Sequence, residues 1–448
     1  MMGGQENEKM KEILHFDVLH FKWQEDLHRR SSNPPRDSTF TPHLPANTAR
    51  LQNDALKTYH KTPKMPIPII DSHIHLFPAS HLPTLAWYTP DGPLSAQHSV
   101  DQYRHATTSI PASANSSKDK SLRGFIFLET DRISSIEESE SESSNTPGWK
   151  HALDEVSFLS RIAQGKPVDG EGHQDADKDL CVGIVPWAPV PGGPNALRAY
   201  VEKVKERAET AEVWRKVCGM RYLVQDKAAG VMLEQGFIDG LGWLGKQGLA
   251  FDLGVDARQG GLGQLREAIE MMEKVSSAAK ESSETPVTIV ISEFIQLHDR
   301  LFDAHILADH LCKPNLRLGT EALTTHPEYV EWKDLVTRMA QASPVNYMKL
   351  SGAFSEILPL SSEDDVDING LASQIQPWTD VVFDAFGPDR VMFGSDWPVA
   401  NIGGGGNDVA WNRWIRVVET ILDRRGLTEK EKEGVWGQVA VKAYGIQL

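Results

Sequence analysis

Two imidazoles and a carboxylate are the side chains of this sequence best placed, by type and spacing, to do chemistry. His73 and His75 close the segment Pro68-Ile-Ile-Asp-Ser-His-Ile-His-Leu76, and Asp396 closes Arg390-Val-Met-Phe-Gly-Ser-Asp-Trp-Pro398. Both segments are apolar, strand-like runs that end in polar groups. Side chains alternate faces along a strand. The spacing therefore predicts Asp71, His73 and His75 on one face, with Ile70, Ser72 and Ile74 on the other. Two imidazoles presented together form half of a divalent-metal site, or polarise a carbonyl as donors. The alternative is a pair of hydrogen-bonded core histidines. Asp396, on one face with Met392 and Gly394, can bind a metal, take a proton from water, or both. Its alternative is an Asx turn or helix cap ahead of Trp397-Pro398.

Other candidates lie between these two segments. Cys218-Gly-Met-Arg-Tyr-Leu-Val-Gln225 sets Arg221 among apolar neighbours, where a guanidinium needs an anionic or carbonyl partner. That partner is either a substrate or a structural counter-ion; Gln225 ends the same run. In His305-Ile-Leu-Ala-Asp-His-Leu-Cys-Lys-Pro314, His310 directly follows an apolar run and Lys313 stands just beyond it. This predicts His310 as a catalytic or substrate-polarising group and Asp309 as a structural one. Glu129, Asp252 and Lys349 are weaker candidates at the ends of other runs. The glycine run Gly403 to Gly406 lacks the Lys-Ser/Thr ending of a phosphate loop and is expected to be a flexible loop over the site.

Positioning groups from both ends of a long sequence at one point requires a fold whose first and last strands are neighbours. A closed β/α barrel has this property. Candidate strands are 69–75, 124–130, 181–186, 217–224, 250–255, 305–308, 347–350 and 390–393. Helical patterns separate most of them, for example 195–211, 262–279, 329–342 and 408–423. Eight strands alternating with helices predict an α/β (βα)8 barrel over residues 67–448. A doubly wound sheet is the weaker alternative, because no glycine-rich dinucleotide fingerprint follows the first strand. Residues 1–66 read as an extension, with a possible helix over 9–28 and then an irregular Ser/Pro-rich strap. Three acidic inserts, 134–145, 166–178 and 361–369, are expected to be mobile surface loops.

The chain has 448 residues, 40% of them hydrophobic, and a formal net charge of −16, which disfavours non-specific nucleic-acid or anionic-membrane surfaces. Three cysteines without a CxxC pair argue against a disulfide framework and for a reducing compartment. With no apolar leader or membrane-length run, the expectation is a cytoplasmic protein acting on a small molecule, with a homo-oligomer left open.

The motifs taken together resemble the amidohydrolase superfamily: Ile70-Asp-Ser-His-Ile-His75, Gly219-Met-Arg-Tyr-Leu-Val-Gln225, Ala308-Asp-His-Leu-Cys-Lys-Pro314, Met348-Lys-Leu-Ser-Gly352 and Phe393-Gly-Ser-Asp-Trp-Pro398. The last three are similar to the branch containing sugar-acid lactonases and pyrone-dicarboxylate lactonase. The resemblance covers about residues 67–448. It implies a TIM-barrel hydrolase with its site at the C-terminal mouth. It also implies that His73 and His75 are the first-strand pair, His310 the sixth-strand histidine and Asp396 the last-strand acid. Arg221, Lys313 and Gln225 would bind substrate. The chain departs from the wider superfamily in having no bridging lysine on strand four and no histidine on strand five, where Phe251-Asp-Leu-Gly-Val-Asp256 stands. A binuclear centre is thereby removed. The remaining set, His73, His75 and Asp396, allows at most one divalent metal such as zinc, and metal-free lactonase members leave open that none is required. The expected reaction is direct attack of water on a lactone, with Asp396 as base. A decarboxylase on the same barrel and a non-catalytic binding barrel are the alternatives.

Overall fold

The computed structural model describes residues 66–108, 120–138, 148–257, 261–292, 312, 314–316, 318, 322–363 and 366–448. The possible helix over 9–28, the strap to residue 66, most of the first acidic insert, and the segment carrying His305, Asp309, His310 and Lys313 lie outside the described residues.

Eight parallel strands run in chain order: β1 (Ile67–Ile74), β2 (Lys120–Leu128), β3 (Cys181–Val185), β4 (Gly219–Arg221), β5 (Ala250–Gly254), β6 (Ile289–Ser292), β7 (Asn346–Leu350) and β8 (Val391–Phe393). Strands β1 to β3 pair in one ladder and β4 to β8 in another. Single parallel bridges join the two: Ile184 to Val217 and Trp187 to Arg221 between β3 and β4, and Ile74 to Trp397 between β1 and the end of β8. These bridges close an α/β (βα)8 barrel. Its outer helices are α1 (Val100–Thr108), α2 (Lys150–Gln164), α3 (Gly193–Ala208), α4 (Ala211–Lys216), α5 (Gln235–Gln247), α6 (Gly261–Glu281), α7 (Pro327–Ala342), α8 (Ile368–Phe386), α9 (Ala400–Gly404) and α10 (Ala410–Arg424). Helices α11 (Glu429–Glu433) and α12 (Val439–Ala443) follow, separated by a π-turn over Gly434–Gln438.

The sixth strand differs from the expectation. It is formed by Ile289–Ser292, ending Pro286-Val-Thr-Ile-Val-Ile-Ser292, which pairs with both neighbouring strands, while the 305–308 run lies outside the described residues. This β-branched run after a proline carries a strand signal of its own. Its short length and lack of a catalytic residue type let the His-rich segment downstream compete with it on sequence alone.

The core has two layers. The larger lies between strands and helices, as parallel sheets require. The smaller fills the barrel: Ile70, Ile126, Val185, Ala250, Val290, Tyr347 and Met392 meet at its axis, and Val439, Ala440, Ala443 and Tyr444 of the C-terminal segment pack against them. The barrel is thus a packed plug below its mouth.

The second acidic insert is not a loose loop. Glu171, His173 and Asp177 are buried. Glu171 pairs with Arg161 of α2, and Arg104 of α1 pairs with Asp177. Its charges are partners for neighbouring helices, a property that composition alone does not reveal.

Candidate active site

The apolar plug fixes the phase of β1 and corrects the predicted pattern of its faces. Ile70 points into the barrel. Asp71 points outward, accepting hydrogen bonds from Tyr103 of α1 (2.9 Å) and Trp411 of α10 (3.0 Å). Ile74 also belongs to the outer core. Two outward residues three apart break strict alternation, and the β1–β2 register shifts between Asp71 and Ile74 as this demands. An uninterrupted pleat with Ile70 inward would have turned both histidines toward the helices. The bulge-like irregularity turns them back to the barrel axis.

The end of β8 meets them there. The Asp396 N–H donates to the His73 carbonyl (2.8 Å), and the His75 N–H to that of Trp397 (2.8 Å). Ser72 Oγ donates to the Phe393 carbonyl (2.6 Å). The approach is close enough to require glycine at 394, where an added Cβ would lie 2.8 Å from that of His73.

These contacts bring His73, His75 and Asp396 together, all buried. His73 Nε2 and His75 Nε2 are 3.1 Å apart, and Asp396 Oδ1 lies 3.3 Å from the first and 3.5 Å from the second. His75 Nδ1 faces the carbonyls of Leu128 (3.1 Å) and Glu129 (3.0 Å). Carbonyls only accept, so Nδ1 carries the proton and Nε2 turns its lone pair to the centre of the triangle. Burial pushes the Asp396 carboxyl up to about 7, although His75 and Arg221 pull it back. Burial likewise lowers the pKa of His75.

This donor set fits a divalent metal. Ligands about 2.0–2.1 Å from a tetrahedral zinc stand about 3.3 Å from one another, and the three edges here are 3.1, 3.3 and 3.5 Å. Two imidazoles and a carboxylate suit zinc by ligand type as well.

Beside this triangle lies a layer of polar side chains from four consecutive strands. Arg221 of β4 contacts Asp252 of β5 (3.0 Å) and Ser292 of β6 (3.2 Å), and its Nε is 3.4 Å from Glu129. Lys349 of β7 donates to the other Asp252 oxygen (2.7 Å), as does the Tyr444 hydroxyl. Burial alone would raise the Asp252 pKa, but Lys349 and Arg221 outweigh it and hold the carboxyl below its ordinary range. Burial raises Glu129 to about 8 against the pull of Arg221, and lowers Lys349 to about 8 against that of Asp252. Arg221 therefore has in Asp252 the structural counter-ion that the sequence left open, with Glu129 beside it. Gln225, also buried, is near it. The weak candidates Glu129, Asp252 and Lys349 form one network with Arg221. Ser292 and Tyr444 were missed; Ser292 could have been found from the β-branched run that it ends.

The glycine run is packed. Gly403 and Gly404 are buried in α9, and the Gly403 carbonyl accepts from the Leu360 N–H (2.9 Å). Arg413 donates to the carbonyls of Gly404 (2.8 Å) and Ser361 (2.6 Å), tying the loops after β7 and β8 together. At Gly405 (φ 95°) a side chain would run into Arg413.

Fold and site together describe a TIM barrel with a candidate active site where the first and last strands meet. The chain belongs to the amidohydrolase family, whose profile (Amidohydro_2, Amidohydrolase) matches residues 186–446. The L-rhamnono-gamma-lactonase of Scheffersomyces stipitis is 31% identical over 381 residues, covering 84% of this chain and 98% of that protein. The L-fucono-1,5-lactonase of Burkholderia multivorans is 27% identical over 298 residues, covering 65% and 77%. A solved amidohydrolase from Burkholderia multivorans with bound zinc shares the fold, with a TM-score of 0.55 and 22% identity over 85% of this chain and 99% of that one. Among the described residues, no helix is long and apolar enough to cross a membrane.

Proposed function

We propose that this chain is a hydrolase that opens the lactone of a sugar acid, of the kind represented by L-rhamnono-1,4-lactone, at the His73–His75–Asp396 triangle. The observation that carries the reading is this triangle at the mouth of a barrel 31% identical to an L-rhamnono-gamma-lactonase over nearly all of that protein. A lactone is an activated ester, so its opening needs an oriented water, a base and stabilisation of the developing oxyanion. His73, His75 and Asp396 would hold one zinc ion, which when bound supplies Lewis-acid polarisation. The sequence left open whether a metal is required, and the fit of the donor set supports one. Asp396 accepts the proton of the attacking water. His75, oriented by two backbone carbonyls, keeps its Nε2 unprotonated. Arg221 places a fixed positive charge within electrostatic reach of both Asp396 and His75. Substrate contacts through Gln225, and through His310 and Lys313 beyond the described residues, complete the proposal.

The test is hydrolysis of an aldonolactone panel followed with a pH indicator, alongside elemental analysis and chelation. The expected result is one zinc per chain, turnover of 1,4- or 1,5-aldonolactones, and loss of turnover on chelation that zinc restores. A purified chain that opens no lactone with or without zinc would overturn the reading.

A further inference from the structure

Among the buried carboxylates that the mechanism does not use, Asp71 is the one bonded to the strand end that carries Asp396. Asp71 is completely buried, and three neutral donors converge on it. The Ser395 N–H donates to Oδ1 (2.7 Å); the Tyr103 hydroxyl (2.9 Å) and the Trp411 indole N–H (3.0 Å) donate to Oδ2. Removing a carboxylate from water is costly, so its retention between a strand and two helices calls for a compensating role. The bond to Ser395 suggests one. Ser395 directly precedes Asp396, whose own N–H is held by the His73 carbonyl. Asp71 and His73 of β1 thus grip two successive peptide N–H groups of the opposite strand end. The grip acts where Asp396 adopts a left-handed conformation (φ 60°), so the direction of its side chain depends on the backbone being clamped on both sides.

We propose that Asp71 is the positioning residue of the site: its carboxylate fixes the backbone at Ser395 and so aims the Asp396 carboxylate at His73 and His75. Tyr103 and Trp411 orient the clamp, which connects α1 and α10 to the centre. The inference rests on Asp396 being the carboxylate of the site.

The experiment compares Asp71→Ala, Asp71→Asn and Asp71→Asn/Trp411→Phe in the full chain. Zinc affinity is read by competition with a chromophoric chelator, kcat and KM on the best aldonolactone, and folding by circular dichroism. Losing a group that orients metal ligands typically costs about 10–100-fold in metal affinity or activity. Asp71→Ala should lose about that much zinc affinity and kcat, with KM within about threefold of the parent. A merely structural role would lower the melting temperature but leave zinc affinity per folded chain unchanged. Zinc affinity and kcat within twofold of the parent would therefore overturn the proposal.

If Asp71→Ala does not fold, the asparagine pair decides. Asparagine can still accept from Ser395, but its amide then faces the Trp411 N–H, donor against donor. Trp411→Phe removes that clash, so the double variant should recover most of the zinc affinity lost by Asp71→Asn. No recovery overturns the proposal. Failure of the underlying reading looks different: the parent chain itself would neither take up zinc nor open a lactone.

Discussion

Asp396 holds its carboxylate against two imidazoles at a backbone position that few residues other than glycine adopt, and aspartate is among those that tolerate it. Asp396→Asn keeps the shape and removes the proton acceptor. Steady-state kinetics should show kcat lower by about 10²–10⁴-fold with an unchanged circular dichroism spectrum. Near-parental turnover would reduce Asp396 to a structural role. Arg221 makes a different prediction, because its guanidinium is a buried counter-ion of Asp252 and lies beside Glu129, with no solvent to replace it. Arg221→Met leaves Asp252 paired with Lys349 and removes the cation beside Glu129. Urea denaturation should show a loss of about 3–5 kcal/mol, the usual cost of breaking a buried ion pair by removing one member. A loss below about 1 kcal/mol would mean that the network reorganises around Lys349.

At the level of elements, β1 and the end of β8 form the site by close approach, and Gly394 is the contact on which the approach depends. Gly394→Ala drives a methyl group against the His73 Cβ. It should destabilise the fold by about 1–3 kcal/mol, as overpacking does, and lower zinc affinity together. Equilibrium denaturation and a chelator competition on the same sample check both effects. The strands that carry the candidate site residues were legible because each is an apolar run that ends in an unusual polar group: β1 at His75, β4 at Arg221, β8 at Asp396. Strand β6 was not, since Ile289–Ser292 ends in a serine that only its partner Asp252 makes meaningful. The side-chain phase of β1 was also hidden. Period-two counting places Asp71 with the histidines, and only the packing of Ile70 into the plug and of Asp71 against Tyr103 and Trp411 shows the shift. Long-range pairing decided what local pattern could not, both for the buried acidic insert and for the glycine run stapled by Arg413.

Across the whole molecule, the packed barrel should protect its thiols. Burial pushes Cys181 and Cys218 up to about 12, so neither forms thiolate near neutral pH. Mass-spectrometric mapping after iodoacetamide should find both unlabelled in the native chain and labelled in urea; native labelling at either would contradict the packing. The seam between β1 and β8 has a consequence for how the protein comes into being. Ser72 and Phe393, which share a hydrogen bond there, are 321 residues apart. During synthesis at about 5–20 residues per second, the histidines emerge many seconds before their carboxylate. A chain that stops before residue 396 therefore lacks the carboxylate of the donor set. The last strand thus completes the donor set, which no chain ending ahead of it contains.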